Sequence, residues 1–188
     1  MIQGILLAAG QSSRFGSNKL LEPVEGGMPM AVVSALTLKE NVDHLLVILK
    51  PEDDELRALF NKLEIETLSC ERAHLGIGDS ISYAVKASHS ASAWIIALAD
   101  MPYVQSQTIA TLSNMMRIGA AISAPMHNGR RGHPVGFSQK FLDQLLLLTG
   151  DEGARNIIKA YSNDFLGFSS QDKGIHRDID YPRDLGLH

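Results

Sequence analysis

The sequence predicts a single α/β domain over residues 1–188, a three-layer α/β/α fold on a mostly parallel, Rossmann-like sheet. Three observations predict it. Short, continuous apolar runs alternate with longer stretches of helical period, and several runs end in Gly or in polar residues followed by Pro. The composition, 45% hydrophobic and 20% charged over 188 residues, suits one well-formed core. Strands that are apolar throughout are buried on both faces, the habit of parallel sheets covered by helices.

The elements follow in order. Residues 2–8 read as a buried strand ended by Gly10, 30–39 as an apolar-faced helix, and 44–49 as a second strand closed by Lys50-Pro51. A helix over 52–63 places Leu56, Leu59, Phe60 and Leu63 on one face. A third strand is expected over 65–69, a helix over 79–88, and a buried strand over 93–98 that runs into Ala99-Asp100-Met101-Pro102. A helix over 105–117 precedes a strand over 120–125. Beyond Pro125 the rhythm loosens. Residues 126–134 read as a basic, Gly-containing loop, 135–137 as a short strand, 139–148 as a helix, and 150–160 as another helix capped by Asp151. No internal repeat or low-complexity segment interrupts the pattern.

Bulk properties exclude several classes. A net charge of −4 argues against a nucleic-acid-binding surface, which needs clustered Lys and Arg. Cys70 is alone, so the chain forms no intrachain disulfide, and a reducing compartment is expected. The apolar N-terminus lacks a basic leader and breaks at Gly10-Gln11-Ser12-Ser13-Arg14, unlike a signal peptide. No stretch reaches the roughly 20 apolar residues of a membrane span. The expected location is cytoplasmic, without membrane partners.

In open α/β sheets ligands bind beyond the carboxyl ends of the strands. That rule gathers the loop after the first strand, Asp100, and the segment 127–133 on one edge. In the first loop a buried strand runs into Ala8-Ala9-Gly10, then Ser12, Ser13, Arg14, Gly16 and Lys19. Small residues let backbone N–H groups approach an anion, while Arg14 offers a planar bidentate donor and Lys19 a compact charge, a pairing suited to a polyphosphate. Neither GxxxxGK[ST] nor GxGxxG is present, so a P-loop and a dinucleotide fingerprint both lose ground. Taken alone, the loop is equally a connection with two solvated cations. Asp100, between a buried strand and Met101-Pro102, is a rigidly placed carboxylate suited to Mg²⁺, or else a cap for the following helix.

LAAG-x-S-x-RFG-x-x-K over 7–19 resembles the signature of nucleotidyltransferases with a glycosyltransferase-A-like fold, the nucleotide-diphospho-sugar transferase type. Within that superfamily the chain resembles the molybdenum cofactor cytidylyltransferase group, sister to the guanylyltransferase that makes the guanine dinucleotide cofactor. The resemblance runs through six ordered motifs, at 7–21, 76–82, 98–104, 132–137, 150–155 and 178–185. It implies that Ala8, Ala9, Gly10, Arg14 and Lys19 surround a nucleoside triphosphate, and that Asp100, in its Asp-Met-Pro motif, holds Mg²⁺. Asp178-Ile179-Asp180-Tyr181-Pro182-Arg183-Asp184-Leu185 is similar to the family's D-I-D-T-P-x-D-L, which makes Asp180 the second Mg²⁺ contact. Gly78 and Ser80 fall in the segment that meets the base. His133 of Gly132-His133-Pro134, with Asp151 and Arg155 of Gly150-Asp151-Glu152-Gly153-Ala154-Arg155, falls on the side of the acceptor, where Arg130 and Arg131 add charge.

The implied reaction is attack of an acceptor phosphate on the α-phosphorus, with pyrophosphate leaving and Mg²⁺, Arg14 and Lys19 neutralising charge. Family members with LAAG tend to use CTP and those with LAGG GTP, so Ala9 favours CTP. The acceptor would be molybdopterin or a similar phosphorylated cofactor, with docking of a molybdoenzyme left open. A GTP-using guanylyltransferase and a non-catalytic cofactor carrier remain the alternatives. The chain departs from the family at Met28, where GKPLL would have Lys, at Ala99, where Gly is frequent, and at Tyr181, where Thr is usual.

Overall fold

β1 (Ile2–Leu7) forms the middle of the sheet, and both of its faces are covered. Leu6 and Ala8 pack into one core, while Ile5, Leu7 and Ala9 pack into a second core on the opposite face. A strand buried at every position, with Gln3 its one polar side chain, is therefore still two-faced. The structure, a computed structural model, describes residues 1–10, 18–24 and 26–185.

The remaining strands are β2 (His44–Leu49), β3 (Glu66–Ser69), β4 (Ala93–Leu98), β5 (Ile122–His127), β6 (Arg130–Arg131), β7 (Val135–Ser138) and β8 (Phe165–Ser169). They line up as β3-β2-β1-β4-β7-β5-β6, with β8 beside β5. β1 pairs in parallel with β2 and β4, and β2 with β3. β7 runs antiparallel to both β4 and β5, so β5 points the same way as β4, and β8 runs parallel to β5. The sheet is mixed but mostly parallel.

Helices cover both sides. α1 (Met30–Lys39), α2 (Asp54–Lys62) and α4 (Ser106–Arg117) bury Leu38, Phe60 and Leu112 against one face. α3 (Ile77–Ala87), α5 (Leu142–Leu146) and α6 (Arg155–Ala160) bury Val85, Leu145 and Ile157 against the other. Among the described residues no helix is long and apolar enough to cross a membrane.

The expected elements up to residue 125 are present, with ends shifted by up to two residues. One shift matters for the site: α3 begins at Ile77 rather than 79, so Gly78, Asp79 and Ser80 lie in its first turn. Its N-cap is Gly76, at φ +138°, and makes no side-chain capping bond.

The C-terminal third departs further. The loop expected over 126–134 contains a hairpin, in which Asn128 (φ +50°) and Gly129 (φ +74°) turn β5 into β6. Asn-Gly tolerates positive φ at both central positions and matches the twist of such turns. The helix expected over 139–148 is a 3-10 turn followed by α5. The helix expected over 150–160 is broken by Gly153 at φ +55°, and Asp151 caps nothing: α6 starts after Ala154 with no side-chain bond. β8 was not expected at all. Its run Phe-Leu-Gly-Phe-Ser is half-exposed at the sheet edge and shows neither full apolarity nor clean alternation.

Candidate active site at the carboxyl edge of the sheet

Lys19 is the centre of the site. Asn18 caps the 3-10 turn Lys19–Leu21, its Oδ1 accepting from the Leu20 N–H at 3.3 Å, and its Nδ2 donates to Asp53 Oδ1 at 3.2 Å. The turn drives the Lys19 side chain inward, where it is 9% exposed. Its ammonium donates to Asp100 Oδ2 at 2.9 Å, Asp180 Oδ1 at 3.1 Å and the Ile179 carbonyl at 2.8 Å. Three donors meet three acceptors, which a buried ammonium requires. Burial works against the charge, but the Asp100 and Asp180 carboxylates outweigh it and hold the ammonium above the ordinary lysine range.

Each carboxylate is held by its own backbone. The strand before Asp100 is anchored where the Ala99 N–H donates to the Leu7 carbonyl at 3.1 Å and Ser34 Oγ to the Ala99 carbonyl at 3.0 Å. Asp100 is not a helix cap, because α4 is preceded by Gln105, whose N–H donates to Asp172 Oδ2 at 2.8 Å. The Asp100 carbonyl accepts from the Ile179 N–H at 2.9 Å, bringing the acidic tail beside it. There the N–H groups of Asp180 and Tyr181 donate to Asp184 Oδ2 at 3.1 and 2.8 Å. Arg177 stacks over the Tyr103 ring at 3.9 Å, and Tyr103 donates to the Leu185 carbonyl at 3.0 Å.

Beside Asp100 opens a cavity of about 390 Å³, lined in part by Ala9, Gly10, Gly76, Ser80 and Asp151. Ala8 takes no part in the lining; it packs in the core on the opposite face, and its N–H donates to the Ile48 carbonyl. Gly78 also lies outside the lining and abuts Thr149. His74, which the motif reading passed over, lines the cavity from an exposed 3-10 turn. Arg14 belongs to the stretch 11–17 and lies outside the described residues.

A smaller cavity of about 170 Å³ shares Ile77, Leu98 and Asp151 with the first and is lined further on by Arg131, His133 and Arg155. The His133 N–H donates to the Ile175 carbonyl at 3.0 Å, but ring atom Nδ1 is buried without a partner, as is Arg131 Nη1. Burial, reinforced by the Arg131 charge, pushes the imidazole down to about 4, so His133 is neutral at pH 7. Burial and the neighbouring Arg155 charge lower Arg131 as well. Among the described residues neither guanidinium is paired with a carboxylate. The recess thus gathers the Arg131 and Arg155 guanidiniums and an unpartnered imidazole nitrogen beside the Asp151 and Glu152 side chains.

Lys19, Asp100 and Asp180, as much as 161 residues apart in the chain, thus meet on one edge. Among the described residues there is no cluster of three His, Cys, Asp or Glu side chains able to hold a metal ion. The protein offers two acids around one cationic position, which suits an ion that takes one or two carboxylates and completes its shell from phosphate and water.

The fold and this edge define a nucleotidyltransferase domain. The chain belongs to the MobA-like NTP transferase domain family, whose model matches residues 4–165. It is 29% identical over 197 residues to the purine catabolism protein PucB of Bacillus subtilis (strain 168), covering 98% of this chain and 94% of that protein. The fold is shared with Rv0371c of Mycobacterium tuberculosis H37Rv at TM-score 0.85 and 23% identity, covering 97% of this chain and 94% of that one. A manganese complex of the same protein superposes at 0.81 and 22% identity, covering 97% and 95%. The molybdopterin-guanine dinucleotide biosynthesis protein A of Archaeoglobus fulgidus superposes at 0.65 and 16% identity, covering 98% and 95%.

Proposed function

We propose that this protein transfers a nucleoside monophosphate, CMP from CTP, to the phosphate of a small acceptor such as molybdopterin cofactor, with Mg²⁺ as cofactor and pyrophosphate as product. One observation carries the reading: the Lys19 ammonium lies within 3.1 Å of both Asp100 and Asp180, beside a cavity of about 390 Å³. A site that gathers two carboxylates around a cation is a site for a cation, and a triphosphate brings one with it.

Asp100 and Asp180 would hold Mg²⁺, which when bound neutralises the phosphate oxygens. The manganese bound to Rv0371c supports a divalent ion here. Lys19 would exchange its carboxylate partners for phosphate, Arg14 would supply the second cation, and the Ala9 and Gly10 backbone would pass close to the triphosphate. Ser80 would donate to the base across the wall that Gly78 lets come near. Ala9, in the LAAG pattern, favours CTP over GTP. The guanidiniums of Arg131 and Arg155, with neutral His133 and Asp151, would seat the acceptor.

In the transfer an acceptor phosphate oxygen forms a bond to the α-phosphorus. The bond from that phosphorus to the bridging oxygen breaks, and pyrophosphate leaves with the electron pair. An anionic phosphate needs no general base at pH 7, and a His133 titrating near 4 serves as a hydrogen-bonding group. The similarity of fold to a molybdopterin-guanine dinucleotide biosynthesis protein supports a pterin acceptor, whose dinucleotide product would pass to a molybdoenzyme. The test is incubation with Mg²⁺, molybdopterin and each of CTP, GTP, ATP and UTP, with the product identified by mass. A CMP adduct is expected. A GMP adduct would keep the reaction and change the base, and no adduct with any nucleotide would refute the proposal.

A further inference from the structure

Behind the wall that the two cavities share lies a carboxylate the transfer chemistry does not use. Asp79, in the first turn of α3, is 5% exposed and lines neither cavity. Its Oδ2 accepts from Thr149 Oγ1 at 3.0 Å and from the Gly150 N–H at 2.9 Å. Its Oδ1 accepts from Arg72 Nε at 2.9 Å, with Nη2 at 2.8 Å. Both oxygens are satisfied, as a buried carboxylate demands, and charge-assisted bonds of this kind are directional.

The backbone makes room for the contact. A Cβ on Gly76 would lie 2.2 Å from the Gly150 carbonyl carbon, and one on Gly78 would lie 2.8 Å from the Thr149 carbonyl carbon. The start of α3 and the turn over 149–153 therefore touch main chain to main chain, and Asp79 ties them together.

What this tie holds is the wall of both cavities. Gly76 and Ser80 face the larger cavity, Gly153 and Arg155 face the smaller one, and Ile77 and Asp151 face both. The Gly150 amide above all, with Thr149 and Arg72, keeps the Asp79 carboxyl below the usual range against the cost of burial, so the tie is ionised at neutral pH.

We propose that Asp79 is a positioning residue whose carboxylate clamps the start of α3 to the 149–153 turn and so keeps nucleotide and acceptor pockets in binding-competent form. The inference rests on the transferase reading. Loss of the clamp weakens ground-state binding of both substrates and raises KM, whereas simple loss of folded protein lowers apparent kcat and leaves KM alone.

The experiment measures KM for nucleotide and acceptor, kcat per folded molecule, and hydrogen exchange over residues 147–154 in the ligand-free protein, for Asp79→Ala, Asp79→Asn and Thr149→Val. Asp79→Ala should raise both KM values about tenfold or more, keep kcat within about threefold, and speed exchange in the turn. Asp79→Asn retains an oxygen for Thr149 and Gly150 and should restore KM to within about threefold. Thr149→Val removes one bond of the clamp and should raise KM by about two- to fivefold; it carries the test if Asp79→Ala does not fold. Unchanged KM in Asp79→Ala or Thr149→Val, unchanged exchange, or no rescue by Asn would overturn the proposal. Absence of transfer by the wild-type protein would refute the transferase reading instead. The clamp would then be read from CTP titration, where an affinity unaltered by Asp79→Ala, or no CTP binding at all, overturns it.

Discussion

Lys19 and Asp180, far apart in the chain, are joined by a 3.1 Å ion pair that also places the lysine 2.9 Å from Asp100. The ammonium thus holds the position between the two acids that the proposed metal ion would need. Lys19→Met should leave the carboxylates repelling one another and hungry for a cation. We expect the ligand-free variant to bind Mn²⁺ about tenfold more tightly than the wild-type protein, read by electron paramagnetic resonance, while its kcat/KM falls about 10²-fold or more. Equal Mn²⁺ affinity would mean that the lysine does not compete for the site.

His133 makes the fold sensitive to acid. Its ordinary value of 6.5 falls to about 4 in the folded protein because of burial. The unfolded chain therefore takes up a proton before the folded one does. The stability that depends on neutral His133 is complete above pH 6.5 and is lost as the pH falls towards 4, a loss of about 3 kcal/mol. Urea unfolding of the wild-type protein and His133→Gln between pH 7 and 4 should show the variant losing less stability over that window. Parallel pH curves would contradict this.

Gly174 buttresses the tail that carries Asp180. A Cβ there would lie 2.0 Å from the Tyr103 carbonyl oxygen, and Asp172 Oδ1 accepts from the Gly174 N–H at 2.8 Å. Gly174→Ala should cost about 2–4 kcal/mol in denaturant unfolding and weaken activity further by displacing Asp180. A variant of native stability would show that the close approach is not needed.

Arg131 and Arg155 give a test of the acceptor side alone. Arg155→Ala should raise acceptor KM about tenfold or more and leave CTP affinity within about twofold, since Arg155 lines only the smaller cavity. Weakened CTP binding in that variant would move Arg155 to the nucleotide.

Much of this architecture is legible in the chain because the strands are buried on both faces. β4 reads as an unbroken apolar run and β1 and β2 as nearly so, broken only by Gln3 and the leading His44, and Asp100 follows just beyond the end of β4. The loop motif also marks Lys19, yet its three-way bond to residues some 80 and 160 positions away carries no local signal. The role of Asp79 carries no local signal, since its partners Thr149 and Gly150 lie 70 and 71 residues further on. The helix expected over 150–160 failed because Gly153 adopts positive φ, which a helix cannot accommodate. β8 escaped because an edge strand with Leu166 half-exposed need not alternate. The Asn128-Gly129 pair, by contrast, is a local hairpin signal, and both residues take the positive φ that such a turn needs.

The most direct test of the central claim is pyrophosphate release from CTP with molybdopterin as acceptor, measured against Mg²⁺ concentration for wild type, Asp100→Asn and Asp180→Asn. The account expects Mg²⁺-dependent release by the wild-type protein, a loss of about 10²-fold or more in Asp100→Asn, and a higher Mg²⁺ requirement in Asp180→Asn. Release that is independent of Mg²⁺, or unchanged in both variants, would contradict it.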